Sequence, residues 1–168
     1  LVYISQPTEY GTLYSLQEIE DLSRVCCERD LKLFVDGARL AYALASPVND
    51  VTLADLARLT DVFYIGGTKC GTLFGEAVVI PERGSIRQFV THMKQHGALM
   101  AKGRLLGVQF EALFEDGLYL TIGEPAVKAT ARIREALKRA GYVVTMDSPT
   151  NLTFVALDQA GHERLSDK

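Results

Sequence analysis

One lysine stands in a glycine-containing segment that directly follows a short apolar run. Residues 61–71 read Asp-Val-Phe-Tyr-Ile-Gly-Gly-Thr-Lys-Cys-Gly, so that Lys69 lies between Gly67 and Gly71. Glycine has no side chain and therefore lets a ligand approach the backbone closely. A lysine in an enclosed site can lose its proton near neutral pH and form a Schiff base with an aldehyde. Lys69 is thus a candidate nucleophile, and a solvent-facing loop lysine is the alternative.

A carboxylate follows a second apolar run. Asp36 comes directly after Leu-Phe-Val at residues 33–35. A carboxylate in such apolar surroundings needs a cationic partner. Arg39 is near enough in sequence to be that partner, and the alternative is a ring nitrogen of a bound cofactor.

Both runs are typical of buried strands, because they are short, apolar and bounded by turn residues. In open α/β sheets the ligand crevice lies outside the carboxyl ends of the strands, where we expect both Asp36 and Lys69. Their separation leaves room for one helical crossover. Pyridoxal phosphate needs a lysine that holds it as a Schiff base and an acid that keeps its pyridine nitrogen protonated, so that the ring acts as an electron sink. The pair therefore favours pyridoxal 5'-phosphate as the cofactor.

Other ligand motifs fit less well. A Walker A loop requires G-x-x-x-x-G-K-[ST], whereas Lys69 is preceded by Thr68 and followed by Cys70, and the chain has no G-x-G-x-x-G. A nucleotide-binding α/β domain is therefore disfavoured. His92 and His96 are four residues apart but lack an H-E-x-x-H context, so no metal site is predicted.

With these motifs the chain resembles the β-eliminating lyase and threonine aldolase family of fold-type I pyridoxal-phosphate enzymes, over essentially all of its length. Residues 35–40, Val-Asp-Gly-Ala-Arg-Leu, are the most specific part of the resemblance. In the family the aspartate bonds the pyridine nitrogen and the arginine lies near the phenolic oxygen of the cofactor. The resemblance implies these roles for Asp36 and Arg39.

The glycine-rich segment supports the same resemblance. Residues 66–71, Gly-Gly-Thr-Lys-Cys-Gly, match the family's lysine loop. The match implies that Lys69 is the Schiff-base residue and that Thr68 contacts the cofactor phosphate.

Two looser matches complete the predicted site. Residues 92–102 are similar to the family's basic stretch after the lysine loop, which implies that Lys94 and Lys102 help to bind the cofactor; solvated helix charges are the alternative. Threonine aldolases commonly carry a histidine, thought to hold the substrate hydroxyl, where this chain has Glu9. Since a carboxylate can accept the same proton, Glu9 is the predicted substrate-binding residue, with a solvated loop acid as the alternative.

Strand and helix patterns alternate along the chain, which predicts an α/β fold with a mostly parallel sheet covered by helices. Ser15 and Glu18 form a predicted capping box at the first helix. The strand over 74–80 is expected to be antiparallel, because only a short loop separates it from the strand before. The predicted strands cover residues 1–4, 31–35, 62–65, 74–80, 142–146 and 151–157, and the predicted helices cover 16–29, a short stretch ending near 44, 52–59, 85–94, 98–114 and 124–140.

The resemblance also implies a domain organisation. Residues 1–118 would be the C-terminal part of a large cofactor-binding domain of the fold-type I transferase-like class, and residues 119–168 the beginning of a smaller α+β domain. The chain opens in a strand pattern without an initiator Met, which indicates a piece of a longer protein. Family members are usually homodimers or homotetramers, so we expect the full-length protein to be one of these.

Composition narrows the possible partners. The 168 residues are 48% hydrophobic and 23% charged, which is typical of a globular protein with a sizeable core. The net charge of −3, with both signs mixed along the chain, gives no footprint for nucleic acid or an anionic membrane. With no apolar stretch near the roughly 20 residues of a membrane span and no signal-peptide pattern, we expect a cytoplasmic protein that binds a small molecule.

The family resemblance implies a pyridoxal-phosphate lyase that cleaves the Cα–Cβ bond of a β-hydroxy amino acid and gives glycine and an aldehyde. The same electron sink also serves β-elimination and transamination, and both stay open as alternatives. A third possibility is an inactive fragment that lacks the rest of the site.

Overall fold

The computed structural model of the chain describes residues 1–166. Its main sheet has four strands, which are, in spatial order, Val2–Ser5 (β1), Leu33–Asp36 (β2), Val62–Ile65 (β3) and Ala77–Val79 (β4). The first three strands are parallel, and β4 joins β3 antiparallel. This arrangement confirms the predicted α/β fold and the predicted direction of the fourth strand.

Helices connect and cover these strands. Capping boxes begin two of them, with Ser15 and Glu18 at α1 and Thr52 and Asp55 at α3. No helix within residues 1–166 is long and apolar enough to cross a membrane. The helices are Leu16–Glu28 (α1), Leu40–Leu44 (α2), Leu53–Leu59 (α3), Phe89–Gln95 (α4), Arg104–Phe114 (α5), Leu118–Thr121 (α6), Glu124–Arg139 (α7) and Gln159–Ser166 (α8), with a short 3-10 turn at Glu115–Gly117.

Three elements after the lysine loop start later than the sequence predicts. Strand β4 begins at residue 77 instead of 74, since Gly75 has a φ of 89° and interrupts the extended backbone. Helix α4 begins at residue 89 instead of 85, because Gln88 has a φ of 53° and cannot continue a helix. Helix α5 begins at residue 104 instead of 98, since Gly97 has a φ of 68° and turns follow it.

The two predicted C-terminal strands are also shorter than expected. Instead of covering 142–146 and 151–157, they pair over two residues each, Val143–Val144 (β5) and Val155–Ala156 (β6). The segment between them is bound elsewhere: the hydroxyls of Ser148 and Thr150 both donate to the carbonyl of Gly11, at 3.1 and 3.0 Å. Ser148 and Thr150 therefore bond to the loop after β1 and do not extend the pairing between β5 and β6.

The two faces of the main sheet differ in composition. The face of the sheet that points away from the core carries a row of aromatic rings. The ring of Phe34 stacks on that of Tyr3 with 5.4 Å between their centroids, and 5.8 Å separates it from the ring centroid of Tyr64. Because side chains alternate along a strand, Asp36 shares the face of Phe34. The core face packs against α1 and α3 and carries the buried residues Ile4, Leu33, Val35, Phe63 and Ile65.

Helix α6 packs into the same core. Tyr119 is fully buried among the core residues of the sheet, and its hydroxyl donates to the carbonyl of Gly66 at 2.8 Å. A residue at the predicted start of the second domain therefore contacts the lysine loop. The division of the chain at residue 118 stays a prediction.

Candidate active site

The loops that follow β2 and β3 lie backbone to backbone. The amide of Gly66 donates to the carbonyl of Gly37 at 2.9 Å. A Cβ added to Gly37 would stand 1.9 Å from the carbonyl oxygen of Tyr64, and one added to Gly66 would stand 2.4 Å from that of Ala38. Both positions therefore need glycine. This close approach brings the predicted acid and the predicted lysine to the same edge of the sheet.

The carboxylate of Asp36 is surrounded by hydrogen-bond donors. The hydroxyl of Tyr3 and the amide of Ala38 donate to it, the amide at 2.8 Å. Burial raises the pKa of the Asp36 carboxyl, but hydrogen bonds from Tyr3, Tyr64 and the Ala38 backbone oppose this effect. The charge of Lys69 acts in the same direction as these bonds, and the net pKa of Asp36 lies below its ordinary value. Asp36 is thus held ionised.

The two tyrosines remain protonated donors. Burial and then hydrogen bonding to Asp36 raise the pKa of Tyr64, while for Tyr3 the hydrogen bond to Asp36 is the largest cause of a raised pKa. Neither tyrosine was predicted as a site residue from the sequence. The available signal was their alternation with apolar residues, which places Tyr3 and Tyr64 on the face of the sheet that carries Asp36.

Arg39 is not a bonded partner of Asp36 in the described chain. Within the described chain no hydrogen bond or ion pair joins Arg39 to Asp36, whose partners are hydroxyls and an amide. Burial raises the pKa of Tyr42, and the charge of Arg39 partly opposes that rise. The hydroxyl of Tyr42 donates to the carbonyl of Lys69 at 2.5 Å. Arg39 is therefore within electrostatic reach of Tyr42, which bonds the lysine loop.

Lys69 has an exposed side chain on a firmly held backbone. The amide of Cys70 donates to the carbonyl of Gly67 at 2.8 Å, and its buried thiol contacts the carbonyl of Ala38 at 3.8 Å. Tyr119 holds the carbonyl of Gly66 from the other side of the loop. The loop thus presents one amine at the edge of the sheet.

A carboxylate that was not predicted from the sequence binds the first residues of this loop. Glu76 accepts a hydrogen bond from the amide of Gly67 at 2.5 Å and another from the hydroxyl of Thr68 at 2.9 Å. It directly precedes β4, which pairs antiparallel with β3. Only that pairing reveals Glu76 as a partner of the loop, because the sequence shows merely an acid before a strand.

The structure brings Glu9 to the same edge of the sheet. Its carboxylate accepts a hydrogen bond from the hydroxyl of Ser5 at 2.7 Å. Ser5 is buried at the end of β1 and pairs in register with Asp36. Glu9 itself is exposed and available to a ligand.

Two predicted residues make no bond to this group in the described chain. Lys94 lies in the last turn of α4 and Lys102 in the turn before α5, and both are exposed. In residues 1–166 neither makes a hydrogen bond or ion pair with Asp36, Lys69 or Thr68. Their predicted role in binding the cofactor stays a prediction.

The fold and the two loops identify the class of protein to which the chain belongs. The chain superposes on Thermus thermophilus aspartate aminotransferase with a TM-score of 0.71 at 17% identity, over 98% of this chain and 46% of that one, which establishes the fold-type I architecture. The family model of beta-eliminating lyases matches residues 1–160. The chain belongs to the beta-eliminating lyase family.

Two relatives are more similar in sequence. The chain is 30% identical to the low specificity L-threonine aldolase of Pseudomonas aeruginosa, over 98% of this chain and 48% of the relative. It is 48% identical to the solved structure of Leishmania major threonine aldolase, with a TM-score of 0.94 over 99% of this chain and 49% of that one. The chain thus spans about half the length of these relatives.

Proposed function

We propose that the full-length protein is a pyridoxal-phosphate lyase of the threonine aldolase type. It would cleave the Cα–Cβ bond of a β-hydroxy amino acid and give glycine and an aldehyde. The observation that carries the proposal is that Asp36, which accepts hydrogen bonds from Tyr3 and Ala38, lies at the same sheet edge as the exposed amine of Lys69. The names of the two threonine aldolases that the chain resembles support the same activity.

The residues present fit the proposed cofactor. A half-buried carboxylate that stays ionised suits a protonated pyridine nitrogen, because the two charges compensate each other. An exposed lysine on a fixed loop suits an aldehyde carbon. Asp36 would hold the ring nitrogen, Lys69 the aldehyde carbon and Arg39 the phenolic oxygen, and Lys94 and Lys102 would assist with the phosphate.

When bound, the cofactor supplies an electron sink for the electron pair that remains on the substrate Cα. The protein's own part is to manage protons and charge. Asp36 would keep a proton on the ring nitrogen, since its lowered pKa leaves the carboxylate negative at neutral pH. Its bonds from Tyr3 and Ala38 fix the direction in which the carboxylate points.

Glu9 would accept the proton of the substrate hydroxyl. As the Cα–Cβ bond breaks, the hydroxyl oxygen becomes the aldehyde oxygen and must release its proton. The Glu9 carboxylate is exposed, and the bond from Ser5 holds it at the edge of the sheet. A positioned carboxylate typically contributes about 10²–10⁴-fold to such a proton transfer.

β-Elimination is the second candidate, favoured by the description of the family itself. The two reactions differ in products. Cleavage of a β-hydroxy amino acid gives glycine and an aldehyde, whereas elimination of water gives a 2-oxo acid and ammonia. The predicted homo-oligomer, cytoplasmic location and amino acid substrate belong to the same proposal.

The test uses the full-length protein with pyridoxal 5'-phosphate, and follows the absorbance of the bound cofactor and the products by NMR. Lys69→Ala should lose the absorbance band of the covalently held cofactor and all turnover. Lys128→Ala is the matched control, because Lys128 forms an exposed ion pair with Glu124 on α7. A band that survives in Lys69→Ala, or a 2-oxo acid as the sole product, would contradict the proposal.

A further inference from the structure

Glu76 binds Gly67 and Thr68, the two residues that immediately precede Lys69 in the loop. Its Oε2 accepts from the amide of Gly67 at 2.5 Å, and its Oε1 accepts from the hydroxyl of Thr68 at 2.9 Å. Because Ile65 pairs with Ala77, the strand pairing places Glu76 opposite the start of the loop. Both carboxylate oxygens are thus used to hold the segment that leads into Lys69.

Thr68 has a single hydroxyl proton, which limits the acceptors it can bind. A threonine hydroxyl has one proton to donate, and an ionised carboxylate only accepts. The hydroxyl of Thr68 donates that proton to Glu76. A phosphate would need the same proton, so Thr68 cannot serve both acceptors at once.

We propose that Glu76 is a positioning residue for Lys69, and that Thr68 acts as its donor and not as a ligand of the cofactor phosphate. The inference rests on the proposed function, since it concerns how the amine meets an aldehyde. Glu76 holds the backbone before Lys69, and Tyr42 holds the carbonyl of Lys69 itself. Lysine has a long flexible stem, so the backbone decides where its amine can reach. Small displacements of a reacting group cost large factors in rate.

The first test compares two aldehydes that differ only in the phosphate, pyridoxal and pyridoxal 5'-phosphate. Their binding to full-length apoprotein is followed by the absorbance of the complex with Lys69. Thr68→Val should weaken both by a similar factor, about tenfold for a charge-assisted hydrogen bond. Thr68→Ser retains the hydroxyl and should restore both. If Thr68→Val weakens only the phosphate-bearing aldehyde, Thr68 binds the phosphate and the proposal is overturned.

The second test changes the carboxylate itself. Glu76→Gln keeps the size of the side chain, but an amide cannot accept both bonds through two oxygens. We expect it to weaken both aldehydes alike and to speed hydrogen exchange of the amides in residues 66–71 of the apoprotein. Glu111→Gln is the control, because Glu111 is exposed on α5 and its side chain makes no hydrogen bond in the described chain. Unchanged exchange in Glu76→Gln would overturn the proposal.

These readouts separate this inference from the proposed function. If wild-type protein binds neither aldehyde through Lys69, the proposed function fails, yet hydrogen exchange in the apoprotein still decides whether Glu76 holds the loop. If both aldehydes bind and the exchange rates stay the same in Glu76→Gln, only the inference on Glu76 fails.

Discussion

The acid and the lysine of the candidate site are held in different ways. Asp36 ends a regular strand, and the side chains that bond it come from the neighbouring strands β1 and β3. Lys69 lies in a loop. The backbone of this loop is held by side chains from α2, α6 and the residue before β4. The acid therefore depends on sheet register, whereas the lysine depends on separate hydrogen bonds from distant segments.

This difference has a consequence for mutation. A strand register is cooperative and changes little when one side chain is removed, so substitutions around Asp36 should alter its charge state more than its position. A loop held by individual bonds should lose position when any one bond is removed. The site thus has two halves, the acid half around Asp36 and the lysine half around Lys69. Each half can be perturbed without the other.

The largest effect is expected from the acid itself. Asp36→Asn preserves the shape and the sheet but removes the negative charge. We expect the full-length variant to retain covalent capture of pyridoxal phosphate by Lys69, while turnover of a β-hydroxy amino acid falls about 10²–10³-fold, as when a preorganised electrostatic partner is lost. Turnover by product NMR and capture by absorbance test the two halves separately. Near wild-type turnover would show that Asp36 does not face the ring nitrogen.

The next effect concerns the contact that joins the two halves. Gly37→Ala places a Cβ 1.9 Å from the carbonyl oxygen of Tyr64, which forces the loops apart. We expect a loss of about 1–3 kcal/mol in the free energy of unfolding, measured in urea on the full-length protein. Gly107→Ala is the control, since it meets open space within α5 and should stabilise by about 0.5–1 kcal/mol. Equal effects of the two variants would contradict a tight contact between the loops.

Much of this arrangement can be predicted from the sequence, where the signals are local. The strands β1 to β3 follow from short apolar runs, and α1 from its capping box at Ser15 and Glu18. Parallel strands then bring Asp36 and Lys69 to one edge. The two C-terminal strands were predicted, but the shortness of β5 and β6 was not, because the segment between them bonds to Gly11, far away in sequence.

The residues that bond Asp36 and Thr68 also come from distant parts of the sequence. Tyr3 and Tyr64 meet Asp36 only because three strands pair in one register. Glu76 meets Thr68 only because β4 returns antiparallel to β3. Sequence patterns show residue types and periodicity, but they do not show which strands become neighbours. The chemical residues were therefore easier to predict than the residues that hold them.

A smaller effect is expected on the lysine half alone. Tyr42→Phe removes the hydroxyl that donates to the carbonyl of Lys69. A neutral hydrogen bond contributes about 1 kcal/mol, which predicts roughly fivefold weaker capture of pyridoxal phosphate. Tyr142→Phe should change nothing, because within residues 1–166 the Tyr142 hydroxyl makes no hydrogen bond. A change in the carboxyl titration of Asp36 in Tyr42→Phe would contradict the independence of the two halves.

The smallest effect is expected on the acid half, from Tyr3→Phe, because Tyr3 is 56% exposed and water can replace part of its bond. The hydroxyl of Tyr3 lowers the pKa of Asp36 in the folded protein, against the opposing effect of burial. A carboxyl with a lowered folded pKa stabilises the fold above its unfolded pKa of about 3.9, and this stabilisation is lost as the pH falls through the folded value.

Tyr3→Phe should therefore be less stable than wild type at neutral pH, and the difference should shrink as the pH falls below about 4. Urea unfolding of both proteins from neutral to acid pH measures this difference. In an Asp36→Asn background the same substitution should show no such dependence, since no carboxylate remains to accept the bond. A difference that stays constant with pH would mean that Tyr3 acts through its packing on Phe34 and not through its hydrogen bond to Asp36.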